Sequence, residues 1–148
     1  GSSSRICKEL AAEGMLQSQE RGRALFYSLK NDEPIVRRLK SAWFLNQLMM
    51  SFRECWESQE NQSVVLYGSR ASGDFISRSD VDLLILTNVS QERIEKNFEG
   101  FKKEFGSELM LAVMPITRWK EMADRKDRFY VEVLANHILL FGSSPVIG

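Results

Sequence analysis

Residues 64–86, VVLYGSRASGDFISRSDVDLLIL, restrict the fold more than any other stretch of this chain. A short apolar run ends in Gly68-Ser69, and a second opens with Asp80-Val81-Asp82. Both runs have strand length and composition. Two carboxylates one residue apart on an extended segment point to the same face, roughly 7 Å apart, close enough to share divalent cations. Gly68 has no Cβ and lets backbone N–H groups approach an anion, while the Ser69 hydroxyl can donate to it. For both elements to touch one phosphate chain, the end of the first strand must lie beside the start of the second. Antiparallel neighbours satisfy that. Residues 70–73 would then begin a short helix or turn whose N-terminus faces the anion.

Gly68-Ser69, ten intervening residues and Asp80-Val81-Asp82 form a pattern that resembles the minimal nucleotidyltransferases of the DNA polymerase β superfamily. The resemblance implies an α/β (α+β) fold, a small mixed sheet of that type with flanking helices. It implies a nucleoside triphosphate, ATP by expectation, bound with Mg²⁺ and attacked at its α-phosphate by a hydroxyl of a small molecule or protein. Asp80 and Asp82 would be the catalytic metal ligands, and Gly68, Ser69, Arg70 and Ser79 the nucleotide contacts. A separate small helical partner protein is a further implication.

Members of that superfamily usually add a third carboxylate from a later strand. The strand expected at 109–116, LMLAVMPI, contains no acid. Glu108, at its start, is the nearby substitute for a metal ligand, although a shift of one residue turns a side chain to the other face. Nucleotide and metal binding are thus better supported than turnover. The alternative is a DNA-binding regulator whose transferase-like domain senses nucleotide silently.

That alternative draws on residues 1–33. A helix is expected at 4–13, with Ile6, Leu10 and Ala11 at helical spacing and Gly14 as a stop. A polar turn at 17–22 and a strand at 24–29 follow. The order resembles the recognition helix and wing of a winged helix-turn-helix domain, which implies duplex DNA as a partner. Ser4, Arg5 and Lys8 would face the major groove, and Arg21 and Arg23 the neighbouring backbone. The resemblance covers about the last forty residues of such a domain, hence the expectation of a fragment with Gly1-Ser2 as a cloning scar.

Charge is balanced over the 148 residues, with 20 basic and 20 acidic side chains, so nothing global advertises nucleic acid or membrane. Residues 1–40 nevertheless carry eight basic and five acidic groups, placing the positive excess on the wing-like segment. Cys7 and Cys55 make no disulfide framework, and no signal peptide or membrane-spanning run is visible, so a reducing, cytoplasmic setting is expected.

Three units are expected: the partial winged-helix segment at 1–33, a linking helix at 34–57 and a transferase-like domain at 58–148. Asp32 is expected to cap the linking helix and Pro34 to open it, with Leu45, Leu48, Met49, Phe52 and Trp56 on one stripe. A polar break at 59–62 precedes the first site strand. Later, residues 88–90 cap a helix reaching about 105, a helix occupies 117–124, and 129–141 reads as a helix running into a strand closed by Gly142. His137 is expected to be a polar-tipped core or surface residue, and Trp43, Trp56 and Trp119 to be packing groups.

Overall fold

In a computed structural model that describes residues 1–57 and 60–148, a short helix α1 (Ser2–Ala12) leads into strands β1 (Leu16–Arg21) and β2 (Ala24–Leu29). The long helix α2 (Pro34–Trp56) follows, then β3 (Asn61–Tyr67), α3 (Gly68–Ser72) and β4 (Val81–Thr87). The remainder is α4 (Gln91–Lys96), α5 (Phe101–Phe105), β5 (Leu109–Met114), α6 (Ile116–Asp124), α7 (Arg128–Ala135) and β6 (His137–Gly142).

β3 to β6 form one mixed sheet in the order β5-β4-β3-β6, with β4–β5 parallel and the other two pairings antiparallel. Both faces are covered, which is why β3 and β4 read as nearly continuous apolar runs rather than as alternating ones. Val64, Leu66, Val81, Leu83 and Ile85 pack against Phe44, Leu48, Phe52 and Trp56 of α2 and against Ile94, Phe98 and Phe101. Val65, Tyr67, Leu84 and Leu86 meet Trp119 of α6 and Val133 of α7 on the other face. Each fully buried large apolar side chain contributes about 1.5–3 kcal/mol relative to exposure. The Phe52 ring anchors the first layer, 4.8 Å from Phe101 and 5.5 Å from Phe105.

Several local expectations change. The polar stretch 17–22 is mostly strand, because β1 pairs with β2 from Leu16↔Leu29 to Arg21↔Ala24 and the turn narrows to Gly22-Arg23. Glu33, not Asp32, is the N-cap of α2, and no side chain caps it; Pro34 at the first position lacks the N–H that would need one. Ser90 does cap α4, accepting from the Arg93 amide, but the helix stops at Lys96 and Gly100, at φ +88°, separates it from α5. β5 ends at Met114, before Pro115, which cannot donate to a ladder. Of the expected break at 59–62, residue 59 lies outside the described residues and Asn61 already belongs to β3, its amide donating to the Trp56 carbonyl. Trp56 and Trp119 are core, whereas Trp43 is exposed.

Candidate active site

Tyr67, the last residue of β3, pairs with Asp82 near the start of β4. This antiparallel register brings the Gly-Ser turn to the carboxylates. Gly68 has φ +69°, and a Cβ built on it would lie 2.6 Å from Asp82 Oδ2. No side chain larger than hydrogen leaves that oxygen where it is. The next turn depends on Gly73 in the same way, with φ +86° and a would-be Cβ 2.0 Å from the Arg37 carbonyl oxygen.

Across the sheet, one row of paired residues runs Met110, Asp82, Tyr67, His137. Directly paired residues share a face, so Met110 stands beside Asp82 on β5. Asp82 is half-buried and Asp80 exposed. Burial holds the Asp82 carboxyl above its ordinary pKa, and the charges of Asp80 and Glu132 push the same way. Tyr67 is pushed up to about 12 by burial, then by Asp82 and Glu132. Glu132 escaped the sequence reading. The ring of Phe129, one turn earlier on α7, lies edge-on to Tyr67 at 5.6 Å, which turns this part of α7 toward the row. An acid inside the apolar run Phe129-Tyr130-Val131-Glu132-Val133-Leu134 was the signal available.

The other expected residues divide. Ser69 is half-buried; its carbonyl accepts from Gly73 N at 2.9 Å, while its hydroxyl has no hydrogen bond among the described residues and is free for a ligand. Arg70 is turned into the core instead, 5% exposed. Its Nη2 donates to the Ser79 carbonyl at 2.8 Å and to Ser107 Oγ at 2.9 Å, and its guanidinium carbon lies 4.6 Å from the Phe44 ring centre and 4.3 Å from that of Phe75. A stacked, doubly hydrogen-bonded guanidinium braces the loop rather than reaching an outer phosphate. Ser79 is used locally as well, its Oγ accepting from Ile76 N at 2.9 Å. Arg70 and Ser79 together fix the turn from which Asp80 emerges.

The Glu108 carboxylate forms an ion pair with Lys102, while its carbonyl accepts from Val81 N at 2.9 Å. It therefore ties β5 to β4 through the backbone. Among the described residues, no three His, Cys, Asp or Glu side chains are grouped to hold a metal ion. Asp80 and Asp82 remain as hard-oxygen donors without an ion pair among the described residues, a set that suits a divalent cation completed by phosphate oxygens and water.

Ser4, Arg5, Lys8, Arg21 and Arg23 are all exposed, on α1 and the β1–β2 hairpin. Arg5 pairs with Glu9 at 3.5 Å, and Arg21 donates to Gln19 Oε1 and lies over Phe26. No helix among the described residues is long and apolar enough to cross a membrane.

Three solved structures are similar in outline. A toxin–antitoxin with AMP-PNP is 16% identical, with 68% of this chain and 74% of that one covered and a TM-score of 0.45. A tri-AMPylated Shewanella oneidensis HEPN toxin in complex with an MNT antitoxin is 15% identical over 70% and 73%, with a TM-score of 0.41. A mutant MntA–HpeT toxin–antitoxin is 14% identical over 68% and 74%, with a TM-score of 0.45. No curated protein matches the chain. The nucleotidyltransferase domain family matches residues 49–140, from the second half of α2 into β6, a span that contains the whole Gly-Ser and Asp-x-Asp arrangement. The chain belongs to the nucleotidyltransferase domain family.

Proposed function

We propose that this protein is a Mg²⁺-dependent nucleotidyltransferase that moves AMP from ATP to a hydroxyl of a small molecule or protein. The observation that carries the reading is the close approach of Gly68 to Asp82 Oδ2, at the mouth of two antiparallel strands. Asp80 and Asp82 would hold Mg²⁺, which when bound neutralises phosphate charge and aligns attacking and leaving oxygens. Ser69 would donate its free hydroxyl to an outer phosphate. Gly68 keeps the backbone low enough for phosphate oxygens to approach. Arg70, through the Ser79 carbonyl, holds the turn that presents Asp80. Glu132, whose charge reaches Asp82, and His137, paired with Tyr67, stand at the far end of the row from Met110, where the acid that would take the acceptor's proton is missing. With Met110 in the place of a third acid, proton removal is the weak step, so transfer is slow relative to binding.

A small helical partner protein, implied by the resemblance to minimal nucleotidyltransferases, would serve either as acceptor or as binding partner. Incubation with Mg²⁺, labelled ATP and cell extract tests the reading. A labelled acceptor and released pyrophosphate, both lost in Asp80→Asn and Asp82→Asn, support it; label transfer unchanged in both variants refutes it.

A second reading has its own observation. α1 buries none of its residues and is followed by a hairpin whose tip carries Arg21 and Arg23, an arrangement fit for duplex DNA. On this reading residues 1–33 bind DNA, 34–57 link, and 58–148 sense nucleotide. Mobility shifts with duplex DNA that weaken steeply with salt and with Arg21→Ala plus Arg23→Ala would favour it; their absence would remove it.

A further inference from the structure

Behind the turn that presents Asp80, on the side of α3 facing α2, lies a cavity of about 910 Å³. Its walls are mainly apolar, with Leu39, Trp43 and Phe44 from α2, Phe75 and Ile76 from the loop after α3, and Leu29 from the hairpin. The size falls within the range of small-molecule sites. Leu39, Trp43 and Ile76 are 51, 62 and 59% exposed, an apolar rim left in water around the opening.

Two cations stand in this apolar setting. Lys40 Nζ donates to Asn31 Oδ1 at 2.8 Å and to the Phe75 carbonyl at 2.7 Å, and lies 4.8 Å from the centre of the Phe75 ring. Arg70 rests on the other partners already described, and its Nε is buried without a hydrogen-bond partner. Neither cation forms an ion pair among the described residues; Asp74, the nearby acid, is within 3.8 Å of Arg37 instead. Burial lowers the pKa of Lys40; Asp74 opposes that shift, and the charge of Arg70 adds to it. Glu104 also lines the cavity, on its exposed side. Neutral acceptors and ring faces offset a partly desolvated ammonium only in part, and an anion would do so more fully.

We propose that this cavity is a second ligand site, distinct from the nucleotide site, and that it takes a small amphipathic carboxylate: an apolar tail along Leu39, Trp43 and Ile76, an acidic head at Lys40. The proposal is independent of whether the transferase site turns over.

Calorimetry of the full chain with decanoate and with decanol separates head-group recognition from simple filling of an apolar groove. Decanoate is expected to bind about tenfold more tightly than decanol or better. Lys40→Met should erase that preference, Lys40→Arg should keep it, and Trp43→Ala should weaken both ligands alike. Thermal melts of each variant show whether it is folded, and the Trp43→Ala and Lys40→Arg results decide the matter if Lys40→Met is not. Equal binding of acid and alcohol, a preference that survives Lys40→Met, or no decanoate binding below about 1 mM would overturn the proposal.

Discussion

Asp82 Oδ2 sits 2.6 Å from the position a Cβ on Gly68 would take. The two residues are joined by register as well as by contact, since Tyr67 immediately before the glycine pairs with Asp82 across the strands. The turn and the acid therefore respond as one unit.

Gly68→Ala is expected to fold, because the obstructing atom is the end of a side chain that can rotate. The positive φ costs about 1–2 kcal/mol. Displacement of Asp82 should weaken Mg²⁺-dependent nucleotide binding about tenfold or more. Urea denaturation and calorimetry read the two effects separately, and unchanged binding would break the link between turn and acid.

Asp82→Asn should raise the melting temperature of the metal-free protein by a few degrees at neutral pH while abolishing metal-dependent binding. Burial first, then Asp80 and Glu132, raise the folded-state pKa of Asp82. The stability tied to its protonated form is fully present below the unfolded-state pKa and is lost as pH rises through the folded one. The advantage of the Asn variant should accordingly shrink on acidification, as the wild-type carboxyl regains its proton. A variant less stable than wild type at neutral pH would contradict this.

Arg70→Lys is expected to cost about 2–3 kcal/mol in urea denaturation, because a lysine cannot bridge the Ser79 carbonyl and Ser107 while stacking on Phe44 and Phe75. A direct phosphate contact would behave otherwise, losing nucleotide affinity with stability intact.

The strand pair, its antiparallel arrangement and the Gly-Ser to Asp-x-Asp spacing were legible because period, length and turn chemistry all act locally. Arg70 was not. Its neighbours in sequence place it beside the phosphate turn, but Phe44 and Ser107, which claim it, come from 26 and 37 residues away. The partners of Glu108 were hidden for a similar reason, since Lys102 and the Val81 amide reach it across elements. Glu132 became visible only when α7 folded back over the sheet and set Phe129 against Tyr67.

Met110→Asp tests whether the missing acid limits the reaction. Met110 pairs with Asp82 on the neighbouring strand and is exposed, so a carboxylate fits there. Metal-dependent transfer should rise about tenfold or more. The added repulsion should also lower metal-free stability by about 1 kcal/mol, and Mg²⁺ should restore it. No gain in rate would place the limiting step elsewhere.

Calorimetric titration of a non-hydrolysable ATP analogue, with and without Mg²⁺, decides the assignment of the site most directly. Binding that requires Mg²⁺ in the wild-type chain and disappears in Asp80→Asn and Asp82→Asn is the expected result. Equal binding without the metal, or in either variant, would contradict it.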